Sequence, residues 1–136
     1  MCASLPSDGR AALRLRFERA RLTGLAGDIA AAESEYRAVL EGRSRILGTD
    51  HIDTLWTRHN LAWIAGQRGD LAAAEAEYRA VLEDRSRMLG SDHPHTLYTR
   101  HALAWVLGQR GDLAAAEAEY RAALDGQTRL LGVGGS

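Results

Sequence analysis

The chain has 136 residues, a length that fits one domain, and a formal net charge of −1 at pH 7. A near-neutral chain predicts no general attraction to nucleic acid or to a membrane surface, and no apolar run is long enough for a membrane span. There is no signal-peptide pattern, and Cys2 is the only cysteine, so no disulfide can form within the chain. Cytoplasm is therefore the expected location.

Helix-forming residues dominate the composition. Ala, Leu, Glu and Arg are abundant, Pro6 and Pro94 are the only prolines, and no run of β-branched residues alternates with polar ones. The chain is therefore predicted to be all-α. All 17 basic residues are arginine, which suggests a GC-rich bacterial genome as the source.

The first predicted helix follows a short lead-in, residues 1–7, that is expected to be disordered. Asp8 can cap this helix, which runs to about Ala26. The helix is strongly basic, because five arginines stand against Glu18. This charge favours either a solvated outer face on a terminal repeat or a patch for an acidic partner. The five arginines are Arg10, Arg14, Arg16, Arg19 and Arg21.

Three later helices share one pattern and are predicted over Ile29–Leu47, Leu71–Leu89 and Leu113–Leu131. Each follows a Gly-Asp pair, in which glycine can adopt the left-handed conformation that closes one helix and aspartate can cap the next. One stripe of each helix is apolar. The other face carries Glu and Arg spaced four apart, as in Glu75 and Arg79, and is interpreted as a solvated face without a catalytic role.

Two further helices are predicted between these, over Asp53–Gln67 and His95–Gln109. Each follows an Asp-His turn, and the aspartate, Asp50 or Asp92, is expected to cap the helix. Pro94 is tolerated in a first helical turn because its missing N–H would have no partner there.

The chain repeats itself with a period of 42 residues. Residues 27–68 and 69–110 differ at only eleven positions, and residues 111–132 repeat residues 69–90. A fixed period of this size is typical of a stacked repeat array. The predicted segments are the lead-in at 1–7, a degenerate repeat at 8–48, repeats at 50–90 and 92–132, and a flexible tail at 133–136.

This pattern resembles the tetratricopeptide repeat, in the 42-residue form found in kinesin light chains and many bacterial relatives. The resemblance covers the chain from about Asp8 to Gly132, and it implies a right-handed α-solenoid of about three antiparallel helix pairs. The first helix of each pair would line the concave side. The motifs are Asp-His-Pro-x-Thr-Leu at Asp92–Leu97, Leu103-Ala104, Gly111-Asp112, the run Ala116–Leu124 with Tyr120 at its aromatic position, and Leu131-Gly132.

Aromatic and histidine side chains recur on one face of the first helices. In tetratricopeptide proteins the matching positions point into the concave groove and contact the ligand, and the position of Asn60 often holds the ligand's backbone. Trp63 and Trp105 could instead pack against the neighbouring repeat. The candidate groove residues are Arg14, Phe17, Arg21, Trp56, His59, Asn60, Trp63, Gln67, Tyr98, His101, Trp105 and Gln109.

Such a groove suits an extended or helical peptide with apolar anchors and an acidic flank, because aromatic rings offer a large contact area and arginine binds carboxylates. We therefore predict a non-enzymatic protein–protein interaction module with a protein or peptide partner. No nucleic acid, membrane, cofactor or metal is expected, and His93 and His95 are interpreted as part of a capping turn. The alternatives are a structural fragment that forms a homo-oligomer through its C-terminal repeat, and a regulatory sensor segment of a larger multidomain protein.

Overall fold

The computed structural model describes residues 6–132, with side chains from residue 9 onward. Within this range the chain forms α-helices and no strand, so the all-α prediction is confirmed. The first five residues of the predicted lead-in and the predicted tail at 133–136 lie outside the described residues. The helices are α1 Pro6–Leu25, α2 Ile29–Leu47, α3 Ile52–Gln67, α4 Leu71–Leu89, α5 Pro94–Gln109 and α6 Leu113–Leu131.

The helix boundaries agree closely with those predicted from the sequence. The bounds of α2, α4 and α6 are the predicted ones, and α3 and α5 each begin one residue earlier than expected. The first helix begins at Pro6, so Asp8 lies within its first turn instead of in front of it.

The Gly-Asp turns close one helix and cap the next, as predicted. Gly27 has a φ of 100°, a conformation that residues with a side chain rarely adopt. Asp28 accepts a hydrogen bond from the Ala31 N–H at 3.2 Å, and such a cap contributes about 1 kcal/mol to helix stability. The same arrangement recurs at Gly69-Asp70 and Gly111-Asp112.

The Asp-His turns are capped by histidine, so the expectation that Asp50 and Asp92 cap these helices is wrong. Nδ1 of His51 and Nδ1 of His93 each accept a hydrogen bond from the backbone N–H two residues further on, at 3.1 and 3.0 Å. Asp92 instead accepts two hydrogen bonds of 2.9 Å from the Arg129 guanidinium. These bonds hold the pKa of the Asp92 carboxyl below its ordinary value.

Two compact units make up the chain, Met1–Arg68 and Gly69–Ser136, called here the first and the second unit. In the first unit α2 packs against both α1 and α3, and in the second unit α5 packs against both α4 and α6. The boundary between the units falls inside the predicted repeat at 50–90.

Each unit has a close contact between helices that depends on a glycine. A Cβ atom at Gly126 of α6 would lie 2.6 Å from the side chain of Leu97 in α5. In the first unit a Cβ atom at Gly42 of α2 would lie 2.8 Å from the side chain of Leu13 in α1. The missing side chain lets the paired helices approach, and buried leucines fill the space.

Candidate functional site

One helix face of the second unit presents large aromatic side chains to solvent. Tyr98 is 55% exposed and Trp105 is 41% exposed, and His101 and Gln109 are exposed as well. The ring of His101 lies edge-on to that of Tyr120 in α6, with centroids 5.2 Å apart. We call Tyr98, His101, Trp105 and Gln109 the α5 aromatic face.

The matching residues of α3 are largely covered. His59 is buried, and its ring lies edge-on to Trp56 with centroids 5.6 Å apart. Trp63 packs against the core of the first unit, where its ring lies 3.4 Å from the position that a Cβ atom at Gly24 would take. Gln67 is exposed. The structure therefore places His59 away from solvent and uses Trp63 in packing.

Asn60 joins α3 to α2. Its Nδ2 donates a hydrogen bond to the Tyr36 hydroxyl at 3.0 Å. Tyr36 is buried, which raises its pKa, and the bond from Asn60 opposes that rise. The amide that was expected to hold a ligand's backbone is thus engaged inside the first unit, and Ala102 stands at the matching position of α5.

The candidate residues of α1 divide between the core and the surface. The ring of Phe17 meets that of Tyr36 edge to face at 5.6 Å, and the Arg43 guanidinium lies 4.6 Å from the Phe17 centroid. Phe17 is therefore a packing residue with a cation over its ring. Arg21 is exposed and bonds to Glu18 at 2.9 and 3.1 Å.

The N-terminal half of α1 borders a pocket of about 520 Å³ in the first unit. Arg16 and Arg19 contact Glu35 of α2 at 3.5 and 2.7 Å, which neutralises part of the positive charge. Arg10 and Arg14 form no ion pair with any residue from 9 to 132, so the positive charge that remains lies at this pocket. The lining residues are Arg10, Ala11, Leu13, Arg14, Leu15, Arg43, Leu47 and Asp53.

Two arginines are buried, although the sequence pattern did not predict this. Nη1 of Arg43 donates to Thr57 Oγ1 at 3.0 Å and to a backbone carbonyl one turn earlier. Arg85 makes the same contacts in the second unit, with Thr99 Oγ1 at 2.7 Å. Burial lowers the pKa of Arg85 to about 10, which leaves it charged at neutral pH. Both arginines follow the buried tyrosine of their helix by seven residues, so helical spacing could have placed them on the apolar stripe.

Glu33 and Glu75 form the expected pairs with the arginine four residues further on, and each also binds an arginine that lies just after the next helix. Glu33 accepts hydrogen bonds from Arg37 at 2.8 Å and from Arg68, just after α3, at 2.7 Å. Glu75 is bound in the same way in the second unit. The bond from Arg37 is the main reason why the pKa of Glu33 lies below its ordinary value.

The histidines of the capping turns form no cluster that would hold a metal. In the described part of the chain, no group of three or more His, Cys, Asp or Glu side chains is placed to bind one ion. The rings of His93 and His95 lie 4.8 Å apart. Burial, and then the charge of Arg85, lowers the pKa of His95. No helix among residues 6–132 combines the length and the apolarity needed to cross a membrane.

Paired helices that repeat every 42 residues define a helical repeat protein. The family model of the tetratricopeptide repeat matches residues 11–87 and 66–129, and the chain belongs to this family. Repeats of this kind generally mediate protein–protein interactions and are typically non-enzymatic scaffolds. No curated protein matches the chain.

Solved structures of kinesin light chain-like repeats share the fold. One is the crystal structure of nearly identical TPR-like repeats of a kinesin light chain from Podosopora anserina. It matches with a TM-score of 0.80 and 23% identity, over 94% of this chain and 59% of that one. BtubC (BKLC) from P. vanneervenii matches with a TM-score of 0.83 and 19% identity, over 95% and 50%. These matches confirm the predicted α-solenoid class and the kinesin light chain-like resemblance. The chain spans 59% of the length of the first of these chains and 50% of the second.

Proposed function

We propose that the chain is a protein-interaction module that binds a peptide segment of its partner at the α5 aromatic face. The observation that carries this proposal is the exposure of Trp105 and Tyr98. Exposed apolar patches mark interaction sites in soluble proteins, and aromatic side chains such as these dominate the energy of many interfaces.

The chemistry of the α5 aromatic face indicates the kind of segment that would fit. The rings of Tyr98 and Trp105 offer apolar contact area, while the Tyr hydroxyl and the Trp N–H keep a hydrogen-bonding group at the edge. His101 and Gln109 add polar groups along the same helix face. An extended or helical peptide with apolar anchor residues would use both properties.

The proposal involves no catalytic step, no metal and no cofactor. Cytoplasm is part of the proposal, because the single cysteine leaves the chain without an internal disulfide. The pocket beside Arg10 and Arg14 in the first unit is a separate place where carboxylates of a partner would find positive charge.

The test is a selection of peptides from a displayed random library on the full chain, followed by affinity measurements on variants. We expect the selected peptides to bind Trp105→Ala and Tyr98→Ala at least tenfold more weakly, the loss typical of an interface hot spot. Met88→Ala serves as the matched control, because Met88 is an exposed apolar side chain on α4, outside the proposed face. Peptides that bind both aromatic variants as tightly as the wild type would contradict the proposal.

Self-association through the C-terminal repeat is the second candidate function. A specific observation favours it, since Tyr120, Leu124 and Leu131 of α6 are all exposed. These side chains recur on one face of α6, and exposed apolar patches are typical of interaction sites.

A further inference from the structure

The contact between α2 and α3 in the first unit recurs between α4 and α5 in the second unit. In each case the second helix of one repeat packs against the first helix of the next repeat. In the first unit Tyr36 of α2 is bonded to Asn60 of α3, and Arg43 of α2 is bonded to Thr57 of α3. In the second unit Arg85 of α4 makes the matching bond to α5. The tyrosine and the arginine therefore mark the face of a second helix on which the next first helix packs.

The same face of α6 is exposed. Tyr120 corresponds to Tyr36 by the 42-residue period, yet Tyr120 is 39% exposed and Tyr36 only 2%. Leu124 and Leu131 lie on the same face and are exposed too, and Gln127 stands where the earlier repeats have the buried arginine. We call Tyr120, Leu124, Gln127 and Leu131 the α6 end face.

The first helix presents a surface that complements the α6 end face. Leu15 and Leu22 of α1 correspond to Thr57 and Ile64 of α3, which are buried against α2. Leu15, however, is 71% exposed, and Leu22 is 59% exposed. Two isolated leucines on a surface are ordinary, but here they occupy the positions by which the other first helices pack. We call Ala11, Leu15, Glu18 and Leu22 the α1 end face.

We propose that the α6 end face of one copy packs on the α1 end face of a second copy, in the register in which α2 packs on α3. In this register Tyr120 meets Glu18 as Tyr36 meets Asn60. The tyrosine hydroxyl would donate a charge-assisted hydrogen bond to the carboxylate.

A paired change of residues supports this register. The Arg43 position of α2 is Gln127 in α6, and the Thr57 position of α3 is Leu15 in α1. A buried arginine opposite Leu15 would lose its hydroxyl acceptor, and an uncompensated buried charge is strongly destabilising. Because the cation and the hydroxyl are absent together, the proposed contact avoids that cost.

The charges of the two helices also complement each other. Arg16, Arg19 and Arg21 are paired within the copy, so α1 keeps the positive charge of Arg10 and Arg14, whereas α6 has three acidic residues against two arginines. The two faces differ, so the contact is heterologous, and the rotation between successive copies determines whether association closes into a ring or continues as a filament.

The test uses two double variants of the full chain. Leu15→Glu with Leu22→Glu alters the α1 end face, and Leu124→Glu with Leu131→Glu alters the α6 end face. All four side chains are exposed, so both variants are expected to fold, which circular dichroism and thermal unfolding would check. Light scattering over a wide concentration range measures the mass of each variant, of the wild type and of an equimolar mixture of the two variants.

We expect the mass of the wild type to rise steadily with concentration, while each variant alone stays a monomer. The mixture should reach the mass of a dimer and no more, because a single intact α6 end face meets a single intact α1 end face. A wild type that is monomeric throughout would overturn the proposal, as would a variant that still associates by itself, which requires pairing of like faces. Trp105→Ala should leave the association unchanged, which separates this contact from peptide binding at the α5 aromatic face.

Discussion

The two units carry closely related sequences and use the same tryptophan differently. Trp63 in the first unit packs against the core cluster of that unit, whereas Trp105 in the second unit is 41% exposed. In the first unit α1 supplies the small residues Ala20 and Gly24 close to the Trp63 ring. Duplication thus kept the residue, and the surroundings decide whether its ring stabilises the fold or faces solvent.

A second difference lies beside the buried arginines. Arg43 has Asp53 near it, and the negative charge of that carboxylate opposes the lowering of the Arg43 pKa by burial. At the matching position, Arg85 has His95, whose pKa is lowered by burial and then by the charge of Arg85. The second unit therefore places a titratable group beside a buried cation where the first unit has an anion.

The comparison of the tryptophans predicts the largest effect. Trp63→Ala should lower the free energy of unfolding by about 3 kcal/mol, since removal of a large packed ring leaves a cavity. Trp105→Ala should lower it by less than about 1 kcal/mol, as is usual for substitutions outside packed regions. Urea unfolding followed by circular dichroism measures both. Equal losses would mean that both rings are core residues, and the proposed site on α5 would lose its basis.

The buried arginine of the second unit should have the next largest effect. Arg85→Ala is expected to cost about 2–3 kcal/mol, because the guanidinium donates two short hydrogen bonds in a buried position. Thr99→Val should cost about 1 kcal/mol, the value of one such bond. Arg87→Ala on the same helix is the control, since Arg87 is exposed and should change the unfolding midpoint little. If Arg87→Ala and Arg85→Ala lower the free energy of unfolding equally, the buried contact between Arg85 and Thr99 does not stabilise the fold.

The bond between Asn60 and Tyr36 should have a smaller effect. Asn60→Ala gives α3 the residue found in α5 and is expected to cost about 1 kcal/mol. A double-mutant cycle with Tyr36→Phe isolates the bond, because the second substitution should then add little to the first. Fully additive losses would show that the hydrogen bond contributes nothing beyond the packing of the two side chains.

Local signals made most of the fold predictable from the sequence. The Gly-Asp turns fix helix ends through a left-handed glycine and a capping carboxylate, so the bounds of α2, α4 and α6 were found without tertiary information. The capping residue of α3 and α5 was assigned wrongly, because Asp50 and His51 are adjacent and both carry an acceptor. Only the backbone geometry shows that the His51 ring reaches the free N–H.

The candidate site was less predictable, because exposure depends on neighbouring helices. The period identified Trp63 and Trp105 as equivalent, but the period does not tell which of the two rings is covered. The same limit applies to Tyr120, whose counterpart Tyr36 is buried under α3. Repeats show where equivalent residues lie, and the contacts of each helix decide what those residues do.

The titration of His95 should produce the smallest effect, and its sign follows from its neighbours. Burial and the charge of Arg85 lower the pKa of His95, so the folded state binds fewer protons than the unfolded state. This contribution to stability is fully present above the unfolded pKa of about 6.5 and is lost as the pH falls from there through the lower pKa of the folded state. The melting temperature of the wild type should therefore fall more between about pH 7.5 and about pH 5.5 than that of His95→Gln. Identical pH profiles for the wild type and His95→Gln would show that the cation of the second unit does not act on this histidine.

The Asp53→His variant should add a second pH dependence of the melting temperature, with the same sign, in the first unit. The reason is that this substitution places a titratable ring beside the buried Arg43.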